Sequence, residues 1–305
     1  MGSSDNGIIR AVLSLTIDDG AYQSEQARVA QHEAQGLNVD LQIIYAGNDP
    51  LTQSEQLLRI IQGPKDARPD LIMLEPVGTA LPHVAKAAVK AGIGWVLLNR
   101  VADYLPELRA ASPVPVCAVT DDQEEIGRIQ GKQMHALLPD GGSLLYVQGP
   151  SVEAAQLRTA GMMTTKPENI TLRMLRGKWT EQSGYDTTAS SLRLRSTSDA
   201  HIDGVFAQND LMAQGARRAF MELAPDRVNS MFFTGVDGLP FAGQAWVRDG
   251  RLVATVQKPT TSEIGLRLAV KGLRAGTQPV ECTTVTSKSF PDLNALKPLK
   301  RFSNA

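Results

Sequence analysis

Long apolar runs are missing from this sequence. Nothing in its 305 residues approaches the roughly 18 consecutive apolar residues of a membrane span. No direct membrane insertion is expected. An excess of charge is missing too. Lys and Arg number 31 against 32 Asp and Glu, and no basic stripe stands out. Neither nucleic acid nor an anionic membrane surface is therefore expected as a partner. Cysteine is scarce: Cys117 and Cys282 stand far apart, with no CxxC partner and no zinc-like spacing. Two free buried thiols are the favoured reading, and a disulfide would need both to lie in neighbouring segments. The start, MGSSDNGIIRAVLSL, lacks the basic opening, apolar run and small-residue cleavage site of a secretory signal. As written it predicts a cytoplasmic chain, and a periplasmic one if the sequence is a trimmed mature form.

Catalytic signatures are absent as well. There is no GxSxG, HExxH or GxxxxGK[ST], and no GxGxxG follows the first predicted strand. The four histidines, His32, His83, His135 and His201, show no ligand-like spacing. The acidic cluster Asp121, Asp122, Glu124 and Glu125 reads better as a helix start complementing its dipole than as a metal site. The expectation is no cofactor, no metal and no enzyme.

What remains is a chain rich enough in apolar residues, 42%, to pack a core, and long enough for two lobes of roughly 150 residues each. Short apolar runs alternate with longer amphipathic ones. Strands are predicted at 8–15, 39–45, 70–74, 95–98 and 114–119, with helices near 22–35, 52–62, 80–91 and 123–138. Gly36 and Gly92 stand where helix C-caps belong. The rhythm restarts with strands at 143–149, 170–175, 203–208, 231–236 and 252–257. Helices follow near 152–164, 181–195, 210–223, 239–248 and 260–275, and 279–290 is extended. Such alternation predicts an α/β fold with parallel sheets. Two runs of about five units predict two similar lobes joined by tight crossings near 119–121, 257–259 and 283–286.

Ligands of open parallel sheets bind beyond the carboxyl ends of the strands. In the first half those positions bring Thr16, Asp18, Asp19, Tyr22, Glu75, Asn99 and Arg100. In the second they bring Arg158, Trp179, Asn209, Asp210, Asp237 and Gln257. Carboxylates, amides and guanidinium match the paired donor and acceptor geometry of adjacent hydroxyls. An aromatic ring, with Trp179 the best placed, would cover the apolar face of a ring sugar. Each residue also has a plainer reading. Asn209 and Asp210 could cap a helix, Asp237 could be a turn aspartate, and Arg158 could lie on a solvated face. Trp179 could be a core or interface tryptophan and Glu75 a strand end, and Asp19 and Tyr22 could be ordinary loop residues. The argument rests on the recurrence of such groups at the same topological place in both halves.

The segments FAQND with LMAQGA (206–216), GVDGLP (235–240), LLNR (97–100) and ATVQKP (254–259) resemble type I periplasmic sugar-binding proteins of the ribose and galactose kind. They are also similar to the effector domain of lactose-repressor-type regulators, as is WTEQSGY (179–185). The likeness runs from about residue 8 to about 290. It implies two Rossmann-like lobes with parallel sheets, three crossing segments, and a sugar or polyol held in the cleft by hinge closure. It implies hydrogen bonds to that ligand from Arg100, Arg158, Asn209, Asp237 and Gln257. The lobes it implies are 7–119 plus 258–283, and 120–257 plus 284–305. Asn99 stands where ribose-type members often have an aspartate, and TIDDGAYQSEQ departs from the usual first loop, where Asp19 and Tyr22 take the place of its contacts. The implied role is the substrate-binding component of an ABC sugar transporter, a monomer whose partner is an ABC permease or a sensor protein. The alternatives are an intracellular sugar-sensing module and a sugar-modifying enzyme.

Overall fold

The computed structural model describes residues 7–18, 20–79, 81–194 and 201–298. The chain begins with β1 (Ile9–Leu15), α1 (Ala21–Gly36), β2 (Val39–Tyr45), α2 (Pro50–Gln62), β3 (Leu71–Leu74), α3 (Pro82–Lys90), β4 (Gly94–Leu98), α4 (Leu105–Ala110) and β5 (Val116–Asp121). It continues through α5 (Gln123–Leu137), β6 (Gly142–Gln148), α6 (Glu153–Thr165), β7 (Ile170–Arg176) and α7 (Glu181–Leu192). Then come β8 (Gly204–Ala207), α8 (Asp210–Leu223), α9 (Pro225–Val228), β9 (Phe232–Asp237), α10 (Gly243–Arg248) and β10 (Ala254–Gln257). The last elements are α11 (Ser262–Ala275), β11 (Cys282–Val285) and β12 (Lys288–Phe290).

Two compact units result. One holds the chain up to Asp121 and again from Thr260 to Val285; the other holds Asp122–Pro259 and the chain from Thr286 onward. The first has a six-stranded sheet in the order β11-β5-β4-β3-β1-β2, parallel throughout. The second repeats the order as β12-β10-β9-β8-β6-β7, with β12 antiparallel to β10 and the rest parallel. In each sheet the strand order reverses between the first and third strands of the unit, β1 and β3 or β6 and β8. This is the topological switch point at which open α/β sheets take their ligands.

The core of the first unit follows a strict period of two, as strands buried on both faces require. Val12, Ile72, Leu74, Trp95, Leu97, Val116 and Ala118 pack toward α2, α3 and α4. Ala11, Leu13, Leu15, Leu71, Met73, Val96, Leu98, Cys117 and Val119 pack toward α1 and α11. In the second unit Leu145, Val147, Val205, Ala207 and Phe233 pack on α8. Leu144, Tyr146, Phe206 and Phe232 face α5 and α6. Phe206 and Phe232 meet edge to face, with ring centroids 5.8 Å apart.

The structure corrects several details of the sequence reading. Gly36 is the last residue of α1 rather than its left-handed cap; Asn38, with φ 54°, makes the left-handed turn. Asparagine tolerates that region because its short polar side chain bonds locally. The helix expected from 239 begins only at Gly243. The extended stretch 279–290 is two strands, β11 for the first sheet and β12 for the second. Each sheet therefore has six strands and not five. Cys117 and Cys282 are both free, and Cys282 is only partly buried. They lie on neighbouring strands, with Cys282 in register with Ala118. Their side chains leave opposite faces of the sheet, one into each core layer. The acidic cluster behaves as a helix start: Asp122 caps α5 by accepting from the Glu125 amide at 2.9 Å, and Arg128 pairs with Asp122, Glu124 and Glu125.

Candidate functional site

At the carboxyl end of the first sheet, Asn99 follows β4 with a left-handed backbone, φ 58°. Its Oδ1 accepts from the Tyr22 hydroxyl at 3.2 Å and from the Thr261 hydroxyl at 3.0 Å. Its Nδ2 is buried and has no hydrogen-bond partner among the described residues. Arg100 donates through Nη1 to the Gly78 carbonyl. Glu75, just past β3, accepts from Gln23 Nε2 at 3.1 Å. Its own carbonyl accepts from Gln53 Nε2, which also donates to Ser14 Oγ, while Gln53 Oε1 takes the Val77 amide. Gln53 thus pins the chain as it leaves β3. Tyr22, Glu75, Asn99 and Arg100 all stand at this end, whereas Asp19 lies outside the described residues.

At the carboxyl end of the second sheet, Arg158 is 4% exposed, so it does not lie on a solvated helix face. It reaches this position because α5 and α6 cross at backbone contact. A Cβ on Gly127 would sit 2.0 Å from the Arg158 carbonyl oxygen. Arg158 donates through Nε to Gln123 Oε1 at 2.7 Å and through Nη1 to the Gln208 carbonyl. Its guanidinium lies over the Trp179 ring, 5.3 Å from the centroid. Trp179 holds φ 67°, a genuine outlier for a bulky residue. Its carbonyl accepts from Asn209 Nδ2 at 2.8 Å. Its ring occupies the place a Cβ on Gly149 would take, with Cη2 2.2 Å from that point. Only glycine fits beneath it.

Asn209 does cap α8, its Oδ1 accepting from the Met212 amide at 2.9 Å. One side chain therefore both starts the helix and fixes Trp179. Asp210 is buried against glycines: Oδ2 accepts from the Gly238 amide at 2.8 Å and Oδ1 from the Thr255 hydroxyl at 2.6 Å. Burial, and then the neighbouring Asp237 charge, pushes its carboxyl well above the ordinary aspartate range. Asp237 ends β9 at φ 104°, in register with Gln257 at the end of β10. Its carbonyl takes the Lys258 amide at 3.0 Å. Three of the predicted residues, Asn99, Trp179 and Asp237, thus have positive φ; at the bulky Trp179 this is the kind of local strain that collects at functional sites.

Sequence reasoning missed the residues behind these. Gln26, Gln53, Gln123 and Gln208 are buried amides. Gln208 takes the Gly149 amide on Oε1, donates through Nε2 to the Ala155 carbonyl, and has the Arg158 guanidinium on its own carbonyl. No group of three or more His, Cys, Asp or Glu among the described residues could hold a metal ion. No described helix is long and apolar enough to cross a membrane.

Comparison with known proteins gives the same outline. The chain is 24% identical over 269 residues to a ribose import binding protein of Salmonella typhimurium, covering 87% of this chain and 82% of the relative. It is 27% identical over 271 residues to a xylitol-binding protein of Mycolicibacterium smegmatis, covering 85% and 72%. The fructose-binding periplasmic domain of a hybrid two-component system superposes with a TM-score of 0.76 at 25% identity, covering 92% of this chain and 90% of that one. Residues 11–273 match the family described as periplasmic binding protein domain. Over nearly its whole folded length, the chain belongs to the periplasmic binding protein family.

Proposed function

We propose that this chain is a solute-binding protein for a neutral sugar or polyol, and that it serves as the substrate-binding component of an ABC transporter. Each unit carries its own set of side chains suited to such a ligand. Tyr22, Glu75, Asn99 and Arg100 form the first set, with Asp19 adjoining them in sequence. Arg158, Trp179, Asn209, Asp237 and Gln257 form the second. No catalytic step is assigned to either.

One observation carries this reading. Each sheet ends, around its own switch point, in hydrogen-bonding side chains held by buried partners, and one of them, Asn99, keeps a buried donor unmet among the described residues. Preordered donors and acceptors of this kind suit adjacent hydroxyls, which both give and take. The relatives named for ribose and xylitol point the same way. A second reading, a sensory module with the same ligand chemistry, draws on the likeness to the periplasmic domain of a two-component system.

A thermal-shift screen over D-ribose, D-allose, D-fructose, L-arabinose, xylitol and myo-inositol tests the ligand class. A true ligand at 100 times its dissociation constant should stabilise the fold by about 2.7 kcal/mol. Asp237→Asn, which tolerates the left-handed backbone, should abolish that shift. The absence of any shift across the panel would sink the reading. Reconstitution with a permease or with a sensor kinase separates transport from sensing.

A further inference from the structure

The unmet Nδ2 of Asn99 is not an accident of one side chain; it is the end of a chain of hydrogen bonds with a fixed direction. The chain begins at the amino end of α11. Thr261 holds the N-cap position of that helix but makes no side-chain cap bond. Gln26 of α1, 235 residues away in sequence, does the capping instead. Its Oε1 accepts from the Thr261 amide at 2.9 Å and the Ser262 amide at 3.0 Å. Backbone amides can only donate, so the Gln26 side chain cannot turn over. Its Nε2 must then face Thr261, and it donates to the hydroxyl oxygen at 2.8 Å.

Thr261 Oγ1, accepting that bond, sends its own proton to Asn99 Oδ1 at 3.0 Å. The Tyr22 hydroxyl adds a second donor to the same oxygen at 3.2 Å. With Oδ1 holding two donors, the amide is oriented with both N–H bonds of Nδ2 directed away from this network. No described residue accepts from them. A buried donor without an acceptor is rare in folded proteins and calls for a water or a ligand.

We propose that Asn99 is a donor-only, specificity-setting contact, and that Gln26 and Thr261 are the positioning residues that hold it so. The inference rests on the sugar or polyol reading above and deepens it. The ligand must place an acceptor at Asn99: a hydroxyl, a ring ether or a carbonyl oxygen. An ammonium group, which can only donate, is rejected there, so amino sugars are excluded from this end of the ligand.

Two substitutions test the relay without knowledge of the true ligand. Gln26→Glu keeps the shape and the two backbone caps but replaces the Nε2 donor by an acceptor. The Thr261 proton is then drawn to the carboxylate, and the Asn99 amide must turn to offer Nδ2 to Thr261. Thr261→Val removes the hydroxyl link altogether. The readout is the Asn99 side-chain amide signal in a proton–nitrogen spectrum of the deuterated full-length protein, identified by its loss in Asn99→Asp. Both variants should move that signal. For whichever of D-ribose, xylitol or D-fructose binds wild type most tightly, calorimetry should show about a 10-fold or greater loss of affinity. An unmoved amide signal in both variants, or a moved signal with affinity within 2-fold of wild type, overturns the proposal. If none of the three probes binds wild type, the sugar reading is what fails, and the spectrum alone still decides whether Gln26 and Thr261 orient Asn99.

Discussion

The Arg158 guanidinium stacks on Trp179, and the two residues hold each other in place. Trp179 keeps a left-handed backbone that a bulky side chain adopts only under constraint, with Asn209 gripping its carbonyl and Gly149 leaving room for its ring. Arg158→Lys retains the charge but loses the planar fork. The Nε bond to Gln123 and the Nη1 bond to the Gln208 carbonyl go together. We expect a stability loss of about 1–3 kcal/mol in urea unfolding, the cost of buried partners left unpaired. A shift in tryptophan emission, absent from Trp179→Phe backgrounds, should accompany it. A urea midpoint and emission identical to wild type would show that the stack constrains nothing.

Gly149→Ala attacks the same arrangement from beneath. The added Cβ would lie 2.2 Å from Trp179 Cη2, an approach no real pair of carbons sustains. The indole must move, because the backbone of Gly149 is itself tied to Gln208 Oε1 at 2.8 Å. Stability should fall by about 1–3 kcal/mol, the usual cost of overpacking. Every sugar that shifts the wild-type melting temperature should shift this variant less. Wild-type melting and ligand response in Gly149→Ala would mean that the tryptophan has a second resting place of equal energy.

How far the sequence announced this arrangement depends on the kind of residue. The strands were legible because apolar runs as short as LIML and WVLL, alternating with longer amphipathic stretches, fit strands buried on both faces better than helices, and they gave the positions after them. The residues that orient the site were not, though they left a trace. Tyr22, Gln26, Ala30 and Ala34 are all buried on one stripe of α1, and Gln53, Leu57 and Ile61 on one stripe of α2. A glutamine at a core-stripe position costs burial unless it is bonded, and that misfit is the signal. Its partners, such as Thr261 for Gln26, depend on tertiary contacts that no local pattern encodes. The sequence offers Asn209 as a helix cap or a ligand contact; it does cap α8, and its second bond, to the Trp179 carbonyl, is invisible without the fold.

Asp210 gives a pH prediction. Its carboxyl titrates above the ordinary value of 3.8 in the folded protein, because burial and the nearby Asp237 charge disfavour ionisation. A raised carboxyl contributes stability fully below the unfolded value, and that contribution is lost as pH rises through the folded one. Asp210→Asn imitates the protonated acid, its Oδ1 accepting from the Gly238 amide and its Nδ2 donating to Thr255. The stability of the variant relative to wild type should therefore grow as pH climbs from about 3.8 toward neutrality. Taking the difference between the two proteins removes the contributions of carboxylates shifted the other way, such as Glu33 and Asp49. Melting curves over that range check the sign, and a constant difference would show that Asp210 titrates alike in the folded and unfolded chains.

The two thiols should behave as unrelated groups. Burial pushes Cys117 up to about 12, so almost none of it is thiolate at neutral pH. Cys282 is raised as well, again chiefly by burial, but it is partly open to solvent. Adjacent strands would bring two such residues within disulfide reach if their side chains left the same face. Here the register pairs Cys282 with Ala118, and Cys117 projects into the opposite core layer. Under native conditions a maleimide should therefore label Cys282 alone, and Cys117 should react only after denaturant is added. Mild oxidation should leave no internal disulfide, read as an unchanged non-reducing mobility and two free thiols on unfolding. A rapid internal bridge in the folded protein would require β11 to shift by one residue along β5, which would reverse every side chain on that strand.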